Sequence, residues 1–117
     1  MAHCSNATCS AATLATLDSA TTVGLATSIA IGADGMGLIS YVDQTFQNLK
    51  VAHCVDLACR TATLVSLDFL IGFGGLWTSM TIGADGVGLI SYYNQLNGDL
   101  KVVHCSNTFC VPYHRGR

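Results

Sequence analysis

The chain has no glutamate, one proline and few charges, which make up only 10% of its 117 residues. Soluble domains carry about 25%. Each shortage removes a class of function. The five lysines and arginines and the net charge of −2 leave no basic patch except His114, Arg115 and Arg117. Nucleic acid is therefore not an expected partner, and those three residues read as a frayed basic tail. The longest apolar run, near Phe69–Met80, is broken by Gly72, Gly74 and Gly75. It falls short of the roughly 20 residues that a membrane-spanning helix needs, so no membrane role is expected. Met1 is followed at once by Ala2, His3 and Cys4, with neither the basic nor the apolar region of a secretory leader. No stretch combines sustained helical periodicity with helix caps. The length allows at most one ordinary domain.

What the chain does have is repetition. AHCSNATC at 2–9 returns as AHCVDLAC at 52–59 and VHCSNTFC at 103–110. Between these blocks, ATLATLD (12–18) matches ATLVSLD (62–68), and TSIAIGADG (27–35) matches TSMTIGADG (78–86). GLISYV (37–42) matches GLISYY (88–93), and LKVAHC (49–54) matches LKVVHC (100–105). Cys4 to Cys54 spans 50 residues and Cys54 to Cys105 spans 51. The slip lies between Asp68 and Thr78, where FLIGFGGLW replaces SATTVGLA. The chain is thus one β-repeat domain, with copies at about 2–51 and 52–102, a partial third at 103–110 and a tail at 111–117.

Each copy reads as four short strands. TSIAI is β-branched and ends at Ala-Asp-Gly, where Gly35 or Gly86 supplies the positive φ of a hairpin turn. LISY runs back, LKV-HC follows, and TLATL or TLVSL closes the unit. Asn97-Gly98 marks a tight turn before LKVVHC, whereas the first copy has the less suitable Gln47-Asn48 there. Pro112 lies outside these strands. LISYY and LKVVHC are apolar on both faces, as in a sheet covered on both sides. Four antiparallel strands in about 40–50 residues form the unit of a β-propeller blade. The expected fold is all-β: about two four-stranded antiparallel propeller-type blades, circularly shifted, plus an extra strand.

The pattern IGADG–GLISYY–NGDLKVVHC–C, over roughly residues 2–110, resembles the repeats of large bacterial β-propeller-like proteins. In those proteins, near-identical blades of this length are strung together. The resemblance implies a fold and no chemistry. A propeller closes with about four blades or more, so two blades form an incomplete propeller with bare apolar flanks. Self-association follows as the expected partnership, either with neighbouring blades of a longer array or as a ring, for which a six-bladed homotrimer is the simplest closed form.

The six cysteines fall in three C-x4-C pairs: Cys4/Cys9, Cys54/Cys59 and Cys105/Cys110. An even count at fixed spacing reads as a disulfide framework, each pair stapling a strand connection. This points to an extracellular compartment, against which stands the missing leader. Free buried thiols and a metal site are the competing readings. His3, His53 and His104 each precede a pair, but adjacent strand residues point to opposite faces, so His and Cys do not readily share one ion. No metal or cofactor is expected.

Catalytic candidates are weak. All seven acids are aspartates. Asp34 and Asp85 are turn residues, and GADG lacks the carboxylate density of a calcium loop. Asp18 and Asp68 end equivalent strands and read as turn caps, and Lys50 and Lys101 read as edge residues. Ser40 and Ser91 lack a nucleophile-elbow context, and GFGG at 72–75 lacks that of a dinucleotide fingerprint. Repeated, equivalent residues argue against catalysis, which needs differently tuned groups in one pocket.

The expected function is a non-enzymatic repeat module, a propeller fragment that scaffolds or binds by assembling with other copies. The alternative is a lectin-like carbohydrate-binding assembly built on Trp77, Tyr93, Asn94 and Asn97, aromatic and amide residues suited to a sugar. A hydrolase fragment ranks below both, since Arg60 is the only arginine inside the repeats. A fragment of a larger secreted repeat protein, without independent function, is the remaining reading.

Overall fold

The structure is a computed structural model and describes residues 1–19, 23–69 and 77–110. Most of the FLIGFGGLW insertion and the 111–117 tail, with Pro112 and His114, lie outside the described residues. Those residues form nine strands and no helix. An N-terminal hairpin pairs β1 (Ala2–Cys4) with β2 (Ala12–Leu14). A central sheet runs in the order β3 (Val23–Ile31), β4 (Gly37–Asp43), β5 (Asn48–Cys54) and β6 (Ala62–Asp68). A C-terminal sheet contains β7 (Thr78–Ile82), β8 (Gly88–Asn94) and β9 (Asp99–His104). All pairings are antiparallel. The central sheet is thus the four-stranded unit expected from the repeat, and the hairpin supplies the third and fourth strands of a preceding unit.

The same local chemistry builds both sheets. Between β3 and β4, the Gly35 amide donates to the Gly32 carbonyl at 2.9 Å and the Asp34 carboxylate accepts from the Met36 amide at 3.0 Å. Gly83, Asp85, Gly86 and Val87 repeat this between β7 and β8. Gly35 and Gly86 have φ of 81° and 84°, in the left-handed region that favours glycine. The connection is longer than a two-residue hairpin turn, since the last rung is Ile31↔Gly37. The β4–β5 and β8–β9 connections each need one left-handed residue, taken by Gln47 (φ 58°) and Gly98 (φ 72°).

The two larger sheets stack face to face, and they do so through unlike faces. Leu38, Val42, Leu49 and Val51 of the central sheet meet Met80, Ile90, Tyr92 and the Cys105–Cys110 disulfide of the C-terminal sheet. Alternation puts Leu38, Ser40 and Val42 on one side of β4 and Ile39 and Tyr41 on the other. In β8, however, it is Ile90 and Tyr92, the counterparts of Ile39 and Tyr41, that face the central sheet. The sheets approach most closely along their first strands, β3 and β7. There the Thr78 hydroxyl donates to the Ala26 carbonyl at 2.6 Å, and the Met80 amide donates to Ser28 Oγ at 3.1 Å. With its proton committed to Ala26, Thr78 Oγ1 accepts from buried Ser40 at 3.0 Å. A bulge in β3, with Gly24 and Ala26 at positive φ, accompanies this contact.

Candidate functional site

Three kinds of polar or covalent cluster recur with the repeat. The first is the disulfide set: Cys4–Cys9, Cys54–Cys59 and Cys105–Cys110 are all bonded. Cys4–Cys9 closes the β1–β2 connection, Cys54–Cys59 closes the β5–β6 connection, and Cys105–Cys110 closes the equivalent loop after β9. In all three, the second cysteine takes a left-handed φ of 55–60° and its amide donates three residues back at 3.1 Å. The central and C-terminal bonds are buried, and the N-terminal one is exposed. Gly37 and Gly88 lie beneath the buried pairs. A Cβ added to Gly88 would sit 2.9 Å from Cys105 Sγ and 3.0 Å from Leu38 Cδ2, so only glycine lets disulfide, strand and neighbouring sheet meet there.

The second cluster joins adjacent units. Asp18, which follows β2, accepts from the Tyr41 hydroxyl at 2.8 Å and pairs with the Lys50 ammonium at 2.7 Å. Asp68, at the end of β6, accepts from Tyr92 and pairs with Lys101 at 3.0 Å. Tyr41 and Lys50 form one rung, as do Tyr92 and Lys101, so a single carboxylate spans two strands of the next sheet. Burial would raise the Asp68 pKa, but hydrogen bonds from Tyr92, Lys101 and the Phe69 amide outweigh it and hold it below the ordinary value. Burial, reinforced by the adjacent carboxylate, pushes both tyrosines well above theirs. The aspartates expected to cap turns and the lysines expected at an edge are therefore clasps between sheets. The signal in the sequence was the recurrence of opposite charges in a chain so poor in charge.

The third cluster pairs turn and strand. His53 Nε2 lies 2.7 Å from Asp34 Oδ2, and His104 Nε2 lies 2.6 Å from Asp85 Oδ2. The amide of Met36 and the imidazole of His53 hold Asp34 below the usual carboxylate range, against a smaller opposing effect of burial. The His104 contact does the same for Asp85. His53 is buried, packs against the Phe109 ring in a tilted arrangement with the ring centroids 4.3 Å apart, and has no partner at Nδ1. Among the described residues, no three His, Cys, Asp or Glu groups converge as metal ligands would.

The residues singled out for sugar binding divide. Tyr93 and Asn94 are neighbours in β8 and point to opposite faces. Tyr93 is exposed, whereas Asn94 is buried and accepts from the Asn97 amide at 3.2 Å within the β8–β9 turn. Asn94 and Asn97 are thus joined, in a structural turn. Trp77 is exposed just before β7, one residue from the Thr78↔Tyr92 rung and so at the Tyr93 end of the sheet. The chain matches no protein-family model, and no curated protein or solved structure is similar to it.

Proposed function

We propose that this chain is a non-enzymatic repeat module whose propeller-type blades serve as a scaffold or binding unit by assembling with other copies. The observation that carries this reading is the stacking of unlike faces. Two sheets related by a two-fold axis would bury one face twice and stop. Sheets packed front to back leave one front and one back unpaired, so the series continues until a ring closes or the chain ends. The close approach of β3 and β7 agrees with blades whose first strands surround an axis. The polar clusters favour the same reading. Each occurs in equivalent copies, and its members are committed to one another across turns or sheets.

Light scattering with size-exclusion chromatography tests this. The expected particle is a multiple of the 12.2 kDa chain, with a closed trimer as the simplest ring. A monomer across the accessible concentration range overturns the proposal. The lectin-like alternative draws on one observation, the exposure of Trp77 and Tyr93 at one end of the C-terminal sheet. Asn94, turned to the other face, adds no polar contact beside them. Specific retention on a glycan array, lost in Trp77→Ala, would favour that alternative.

A further inference from the structure

The repeat allows each surface of one sheet to be compared with its counterpart in the next. Leu38, Val42, Leu49 and Val51 correspond to Leu89, Tyr93, Leu100 and Val102. The first four are sealed beneath the C-terminal sheet. The second four form an open face, on which Leu100 is 80% and Val102 57% exposed, against 0% for both Leu49 and Val51. The reverse holds at the other end. Met80 and Ile82 of β7 pack against the central sheet, while their counterparts in β3, Ile29 and Ile31, are 51% and 63% exposed. The molecule therefore carries, on opposite ends, the two halves of an interface that it already makes once internally.

We infer that the open face of β8 and β9 docks on the Ile29, Ile31 and Ile39 face of a second copy, in the arrangement the central and C-terminal sheets already adopt. This rests on the repeat-module reading and names its two surfaces. A cavity marks the receiving place. In the internal interface, Leu38 lies over Gly88 and packs in one cluster with Ile90. On the receiving face, beside Ile39, Tyr41 and Ala52 and next to the Asp18 clasp, lies a cavity of about 260 Å³ that Thr27, Leu17 and Met1 also line. Met1 stands one residue before Ala2, as Val51 does before Ala52, so Met1 and β1 hold the place that Val102 and β9 of the incoming copy take. β1 gives way readily, because its three residues are exposed and pair only with β2. The complement of the open face is thus a sheet of this same repeat, seen once within the chain. Exposed apolar surface of this extent is a recurrent mark of association.

Two variants and their mixture test the inference. Leu100→Lys/Val102→Lys blocks one face, and Ile29→Lys/Ile31→Lys blocks the other. All four positions are exposed, so both chains keep the wild-type circular dichroism. Each variant alone is expected to self-associate about tenfold more weakly or worse, since every contact now buries a lysine. Mixed one to one, they retain one intact pair of surfaces and form a heterodimer that grows no further, seen by light scattering. If wild type associates but the Ile29/Ile31 variant does so equally well, or the mixture gives no heterodimer, the inference falls and the repeat-module reading survives. If wild type is monomeric throughout, both fall.

Discussion

The central and C-terminal sheets are written in nearly the same residues and are buried very differently. Both contain IGADG, GLISY and an LKV-HC strand, and both make the same Ala-Asp-Gly turn, the same disulfide and the same aspartate clasp. In the central sheet, β4 and β5 are buried on both faces. In β8 burial alternates, and β9 is mostly exposed. The motif specifies strands, turns and ties, while burial depends on whether a neighbouring sheet stands on each side. Apolar residues on both faces of a strand are a provision for two neighbours, and the C-terminal sheet has only one within the described residues.

Equivalent leucines break the comparison most sharply. Leu49→Ala empties a fully buried site between Val42 and Tyr92 and is expected to cost about 3 kcal/mol. Leu100→Ala, the same change in the next copy, is expected to cost less than about 0.5 kcal/mol in dilute monomer. Urea denaturation of both variants measures the difference. Equal effects would mean that the open face is covered within the chain.

The disulfides give the next largest contrast, because their loops are equal in length and their surroundings are not. The chain-entropy contribution is the same for each, about 2 kcal/mol. Cys54→Ala/Cys59→Ala also removes buried sulfur above Gly37 and should lower stability by about 2–3 kcal/mol. Cys4→Ala/Cys9→Ala loosens an exposed hairpin and should change the main unfolding transition by less than about 1 kcal/mol. Calorimetry of the two variants decides.

Much of this organisation was legible in the sequence. The strands expected at TSIAI, LISYV, LKVAHC and TLVSL are β3 to β6, and the first two C-x4-C loops join strand to strand as expected. β-Branched runs, glycine at positive φ and fixed cysteine spacing all act locally, so a linear reading captures them. The clasps do not act locally. Asp68 lies 24 residues from Tyr92 and 33 from Lys101, across a sheet boundary, and pairing them requires knowing that unlike faces stack. The open face was illegible for a related reason, since Leu49 and Leu100 sit in the same motif. Strand parity, by contrast, was enough to separate Tyr93 from Asn94.

The clasp sharpens the comparison through pH. The Asp68 carboxyl is held below its ordinary 3.8 by bonds that outweigh the effect of burial. Its contribution is therefore complete above that value and is lost as pH falls through the lower, folded value. Asp68→Asn should cost about 1–2 kcal/mol at neutral pH and progressively less in acid, where the wild-type carboxyl also becomes neutral. Tyr92 gives the opposite limb. Its pKa is raised above 10.0, chiefly by burial and then by Asp68, so its contribution is complete below that value and is lost as pH rises beyond it. Stability of both chains across pH, followed by tryptophan fluorescence or circular dichroism, checks the convergence in acid. A constant offset would remove the clasp as the cause.

The smallest effect lies in the one turn that the two copies solve differently. Gln47 and Gly98 hold equivalent left-handed positions, with φ of 58° and 72°. A side chain in that region costs about 1–2 kcal/mol, and glycine gives back part of this through the greater freedom of its unfolded chain. Gln47→Gly should therefore raise stability by about 0.5–1 kcal/mol, whereas Gly98→Gln should lower it by a similar amount. The exchange moves no buried apolar group, so the denaturation midpoint should shift while its slope stays constant. If Gln47→Gly destabilises the chain, the two turns differ in more than glycine, and the central sheet depends on a Gln47 contact that its counterpart lacks.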